Sequence, residues 1–258
     1  MYLDKIVLSH RQNLLHENRD LDVLVSQASQ LPSARGFIDR LKQDSVNSLA
    51  VIAEIKRKSP SKGELNPDLD AAVLAEQYWR GGASCLSVLT DVDFFGGSVD
   101  DLVQARTATT LPVIRKDFTV SEFDVVDARL MGADCVLLIA AVLSDTELQK
   151  FHRLATDIGL DVLVETHDEQ ELDRALNVGA TMIGVNQRDL MTFQVDHERA
   201  ERMATQIPQH VVRVAESGVR DRGDAQRLRD AGYDAVLVGE SIVTSGDPAH
   251  SVRDLMVA

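Results

Sequence analysis

The chain has 258 residues, 44% of them hydrophobic and 26% charged, with a formal net charge of −14. Such an acidic balance argues against a general nucleic-acid or anionic-membrane surface, and no apolar run approaches the ~20 residues of a membrane span. The first twenty residues mix charges into their apolar positions, unlike a secretory leader, so the cytoplasm is the expected location.

Residues 1–47 carry helical periodicity, interrupted at Pro32 and Gly36. From residue 49 the chain changes character. Apolar runs of strand length now alternate with helical stretches, and eight such units can be counted. Four strands follow Gly82, Gly132, Gly179 and Gly232; four more lie between them, at 51–56, 112–116, 161–165 and 211–215. Glycines recurring roughly every 50 residues mark four copies of a strand-helix-strand-helix unit. Each is placed to close a helix in the left-handed conformation, and each strand is a Val/Ile/Leu run suited to burial on both faces of a parallel sheet. The doubly wound alternative should carry a G-x-G-x-x-G turn, and none of these strands does. The expectation is therefore one domain over residues 1–258, a (β/α)8 TIM barrel with an N-terminal helical extension. Cys85 and Cys135 fall inside strands and are expected to be core thiols.

In this fold the site lies at the C-terminal strand ends. Those ends carry Glu54 and Lys56, Lys116, Glu165, Asn186 and Arg188, Glu216 with Ser217 and Gly218, and Gly239 with Glu240 and Ser241. Alternation along a strand puts Glu54 with Lys56, Lys116 with Phe118, and Gly184 with Asn186 on common faces, so the charged groups converge. Any one of them alone would pass for a solvated strand end. The glycine and small polar residues after the last two strands fit the backbone phosphate site that barrels build there. No histidine spacing suggests a metal, His167 reads as a loop residue, and no cofactor is expected. Acid-base chemistry by lysine and glutamate follows, with the cationic mouth and burial expected to lower a lysine's pKa.

Seven motifs in order, AEIKRKSPS (53–61), DFFGGS (93–98), RKDF (115–118), VETH (164–167), VNQRDL (185–190), ESG (216–218) and LVGES (237–241), closely resemble the indole-3-glycerol-phosphate synthase family of tryptophan biosynthesis. The resemblance implies conversion of 1-(2-carboxyphenylamino)-1-deoxyribulose 5-phosphate to indole-3-glycerol phosphate, with loss of CO₂ and water. It also implies roles. Lys116 matches the general acid on the substrate ketone, Glu165 the carboxylate of the dehydration, and Lys56 a second lysine gripping anionic groups. Glu54, Asn186, Glu216 and Ser217 match the orienting polar shell, and Arg188 the residue facing the anthranilate carboxylate. Ser59, Gly218, Gly239, Glu240 and Ser241 match the phosphate cradle, while Pro60, Phe94, Phe95, Phe118, Leu137 and Leu190 would flank the ring. Residues 1–47 match the extension that caps the top of the barrel. The expected partner is a sugar-phosphate small molecule and the expected state a monomer, with a homodimer as the alternative.

Gln187, Thr166 and Glu240 depart from the residues usual in the family. Two other readings compete: a Schiff-base aldolase using Lys56 or Lys116 as nucleophile, and a barrel that binds a sugar phosphate without turnover.

Overall fold

The computed structural model describes residues 2–189 and 192–258. Strands β1 (Ala50–Ile55), β2 (Cys85–Leu89), β3 (Val113–Lys116), β4 (Cys135–Ile139), β5 (Asp161–Thr166), β6 (Met182–Asn186), β7 (Val212–Glu216) and β8 (Ala235–Val238) pair in chain order. All pairings are parallel, and β1 closes on β8 to complete a barrel. The expected strands are all present, with ends displaced by a residue or so. Gly82, Gly132, Gly179 and Gly232 do hold positive φ, between 80° and 97°.

Around the strands run α4 (Ala71–Gly81), α5 (Val99–Ala108), α6 (Glu122–Leu130), α7 (Asp145–Asp157), α8 (Glu169–Asn177), α9 (Arg199–Ala204), α10 (Arg222–Asp230), and the pair α11 (Glu240–Val243) and α12 (Pro248–Leu255). Most start on a side-chain cap written in the sequence: Asp70, Ser98, Ser121, Ser144, Asp168, Asp221 and Asp247 each accept from a backbone N–H in the first turn. Each such cap contributes about 1 kcal/mol and fixes where a strand-to-helix loop must end. Loop length at the mouth is thereby set locally.

Two cores result from strand alternation. Val51, Ala53, Val136, Leu138 and Val236 face outward under the helices, whereas Ala50, Ile52, Cys85, Ile114, Leu137 and Leu163 fill the barrel itself. Both cysteines are buried free thiols in the inner group.

The N-terminal extension reaches further than the top of the barrel. Helix α1 (Tyr2–Asn13) does lie over the C-terminal mouth, where His10 meets Asp91 just beyond β2. Helix α2 (Leu21–Ser29) packs on the flank against α6. Helix α3 (Phe37–Asp44), however, closes the opposite end. Its Phe37, Ile38 and Leu41 are buried against Ala50, Cys85, Cys135, Met182, Val212 and Ala235, the first residues of six strands. Backbone N–H groups of Arg35 and Ile38 donate to Asp134 and Asp161 at 2.8 and 2.9 Å. A barrel exposes apolar side chains at both ends, and the apolar face of one short amphipathic helix covers the ring at the bottom.

Between β1 and α4 the cationic loop contains a two-residue antiparallel pairing, Lys58–Ser59 with Gly63–Glu64. Arg57 fastens its base, donating to Asp101 and, at 2.9 Å, to the Leu69 carbonyl.

Candidate active site

A cavity of about 540 Å³ opens at the C-terminal end of the barrel. Its floor is built from inward positions of neighbouring strands. Lys116 at the end of β3 places Nζ 3.1 Å from Glu165 Oε2 (β5) and 3.3 Å from Glu216 Oε2 (β7). Asn186 of β6, between those two strands, donates to Glu165 Oε1 at 3.0 Å. On β1 the Lys56 ammonium donates to the Glu54 carboxylate, which also accepts from Ser87 Oγ at 3.3 Å.

Opposite charges set the protonation of this floor. Burial works to lower the Lys116 pKa, but Glu165, Glu216 and Glu54 outweigh it and hold the ammonium above the ordinary lysine range. This reverses the sequence expectation of a lowered value. The mouth's other strand-end lysine, Lys56, is paired with Glu54, and the neighbours that act on Lys116 are carboxylates. Burial likewise works to raise Glu165, but Lys116, His167 and Asn186 hold it below the usual carboxylate range. Glu216 goes the other way. Burial pushes it up to about 8, with the Glu165 charge adding to the shift and Lys116 opposing it.

Above the floor, Arg188 donates to the Phe193 carbonyl at 3.3 Å and lies 3.8 Å from Glu240. Glu240 also sits 3.5 Å from Lys62. Behind them the chain turns sharply: Ser217 and Gly218 have φ of 65° and 74°, and α11 starts directly after Gly239. A β-carbon at residue 239 would fall 2.5 Å from Glu54 Oε1, so glycine lets this backbone come close to the floor. Ser59 Oγ is buried with no hydrogen-bond partner among the described residues. Two of the departures shape this region: Gln187 donates to the Ser217 carbonyl at 2.7 Å, and Thr166 to the Gly184 carbonyl at 3.0 Å. Neither displaces a charged group of the floor.

Nearly every residue singled out in the sequence lines this cavity, including Lys56, Ser59, Pro60, Phe95, Phe118, Leu137, Ser217, Gly218, Glu240 and Ser241. Phe94 does not; its ring packs edge-on against Tyr2 at 6.0 Å. Leu190 lies outside the described residues. Sequence reasoning missed Tyr2, Leu3 and Ile6 of α1, which line the rim although they precede the first strand in the chain. It also missed two histidine contacts. His167 does lie in the loop after β5, as expected, but its side chain is 11% exposed and its Nε2 lies 3.4 Å from Glu165 Oε1. His10 Nε2 is 2.9 Å from Asp91 and 3.8 Å from Asp117.

The His10, Asp91 and Asp117 ligand atoms lie within 4.8 Å of one another, close enough to test as a cation site. Their carboxylates are already engaged. Asp91 accepts from the N–H groups of Phe94 and Phe95, and Asp117 from Phe118 N–H, Thr90 and Arg115. The group fits a clasp holding α1 on the barrel.

A closed parallel barrel whose mouth joins half-buried lysines and buried glutamates to a glycine-lined cradle defines a TIM-barrel enzyme. Solved structures share the fold. 3-Hexulose-6-phosphate synthase from Salmonella typhimurium aligns at 17% identity over 80% of this chain and 96% of its own, with a TM-score of 0.65. Thiamine phosphate pyrophosphorylase from Pyrococcus furiosus aligns at 15% identity over 83% and 95%, with a TM-score of 0.61. The chain belongs to the indole-3-glycerol phosphate synthase family, whose sequence model matches residues 3–255. It is thus a carboxy-lyase of tryptophan biosynthesis, forming indole-3-glycerol phosphate by ring closure, decarboxylation and dehydration.

Proposed function

We propose that Lys116 and Glu165 carry this reaction, and the observation that supports it most is their ion pair on the cavity floor, 3.1 Å long, with the glutamate buried and the lysine reaching the cavity. Lys116 is the acid of ring closure. The substrate's carboxylate-bearing ring carbon attacks the ketone carbon, the carbonyl electron pair moves to oxygen, and Lys116 supplies the proton. A raised pKa does not disqualify it. The amine stays charged as the carbon–carbon bond forms, stabilises the oxygen as negative charge grows, and gives up its proton only once the developing alkoxide is the stronger base. The ring-to-carboxyl bond then breaks, CO₂ departs, and its electron pair restores the aromatic ring.

Dehydration removes a proton from the former sugar C1 and expels the new hydroxyl with the electron pair of its C–O bond. The C–H pair closes the ring double bond, so that the proton and the hydroxide leave together as water. Glu165, kept ionised by Lys116, is the base. Lys56 and Arg188 hold the substrate's anionic groups, with Glu54, Asn186, Glu216 and Ser217 orienting them and the hydroxyls. The phosphate is assigned to Ser59, Gly218, Gly239, Glu240 and Ser241, where the buried Ser59 hydroxyl supports an anion as its partner. Pro60, Phe95, Phe118 and Leu137 are the apolar wall for the ring. The carboxylates around Lys116 weigh against a Schiff-base nucleophile, which needs a neutral amine.

The same reading takes the chain as one folding unit, monomeric and cytoplasmic, acting on a sugar phosphate. Among the described residues no helix is long and apolar enough to cross a membrane. Light scattering separates monomer from homodimer. The activity test is the rise of indole fluorescence when the purified chain meets the carboxyphenylamino-deoxyribulose phosphate. Turnover that survives in both Lys116→Ala and Glu165→Gln would overturn the assignments.

A further inference from the structure

His167, in the turn after β5, approaches Glu165 but does not line the cavity. Glu171, in the first turn of α8, grips it twice. One oxygen, Oε2, accepts from the His167 backbone N–H at 2.8 Å and faces ring Nδ1 at 3.0 Å. That grip fixes the ring plane and places a proton on Nδ1. The other nitrogen, Nε2, is buried and forms no well-aligned hydrogen bond among the described residues; Glu165 Oε1 lies 3.4 Å from it. A neutral ring with its proton on Nδ1 would turn a lone pair toward an ionised carboxylate. An imidazolium removes that conflict and faces a carboxylate on each side.

We propose that His167, oriented by Glu171, is a positioning residue for catalysis, which as an imidazolium keeps Glu165 ionised and aimed at the substrate. The inference rests on the assignment of Glu165 as the catalytic carboxylate. Charged groups reach this pair from several elements: Lys116 from β3, Glu216 from β7 and Glu171 from α8, while β6 contributes the neutral Asn186. Lys116 holds one oxygen of Glu165; Asn186 and His167 share the other. The carboxylate is therefore held by a cation on each side, and only one of those cations touches the cavity. Burial works to lower the His167 pKa, but Glu165 and Glu171 raise it to about 9, so the ring is charged at neutral pH.

The test is kcat and KM from pH 5 to 10, followed by indole fluorescence, for the full chain and for His167→Gln, Glu171→Gln and Glu165→Gln, with melting temperatures alongside. His167→Gln should hold KM within about twofold, lower kcat about tenfold, and lose the alkaline limb of kcat near pH 9 that deprotonation of the ring imposes on the wild type. Glu171→Gln, which leaves the ring in place, should bring the alkaline limb to lower pH. Wild-type pH limbs in both variants, or losses of kcat that only track melting temperature, would overturn the proposal. A fully active Glu165→Gln would instead overturn the assignment beneath it.

Discussion

Gly184 and Glu216 occupy the same space on the inner wall: a β-carbon at residue 184 would fall 2.0 Å from Glu216 Oε1 and 3.2 Å from Leu163 Cδ1. The missing side chain on β6 is the room in which Glu216 lies to reach Lys116 from β7. Gly184→Ala should force the Glu216 carboxylate off Lys116. What must move is the end of a side chain, so the barrel should survive, with a loss of about 1–3 kcal/mol. A fall in kcat of about 10²-fold is expected, the scale of one well-placed acid-base group. Fluorescence kinetics beside a urea titration would check both.

Removing Lys116 should cost stability as well as activity. Glu165 is depressed in the native protein, so its contribution is present above the ordinary glutamate range and is lost as pH falls through the lowered value. Lys116→Ala strips two buried carboxylates of their cation and should destabilise by about 3 kcal/mol near pH 8. In the variant those carboxyls are pushed upward, so the deficit should shrink toward pH 5 as they protonate. Urea unfolding of both proteins at pH 5.5 and 8 measures the difference.

The clasp at the N-terminus has the opposite sign. Burial works to lower the His10 pKa, but Asp91 and then Asp117 and Asp124 raise it above the ordinary value of 6.5. Its stabilisation is therefore complete below 6.5 and lost as pH rises through the raised value. Hydrogen exchange in Tyr2–Asn13 should quicken over that window, beyond the intrinsic pH dependence of amide exchange. In His10→Gln the extra acceleration should disappear.

Glu240 lies 3.5 Å from Lys62 and 3.8 Å from Arg188 at a half-exposed rim. A substrate anion must compete with this carboxylate for both cations. Pairs of this kind contribute about 0–1 kcal/mol, so Glu240→Ser should lower KM by up to about fivefold, and added salt should erase the gain. An unchanged KM at low ionic strength would show that Glu240 does not hold those cations against substrate.

The sequence by itself determined the alternation of strand and helix, the left-handed glycines, the shared faces of Glu54 with Lys56, Lys116 with Phe118 and Gly184 with Asn186, and the placing of Glu165 and Glu216 at strand ends. All of these follow from interactions within a few residues, where periodicity and turn chemistry act. The seven motifs added the family and most of the cavity. Only the tertiary structure decided which ends meet. Barrel closure set three carboxylates around Lys116 and so turned its expected pKa shift upside down. It brought His167 to Glu165, placed α1 over the mouth through His10, and sent α3 to the bottom. Parity tells which way a side chain points along its own strand. Its neighbours across the barrel depend on strand register and tilt, which exist only once β1 has paired with β8.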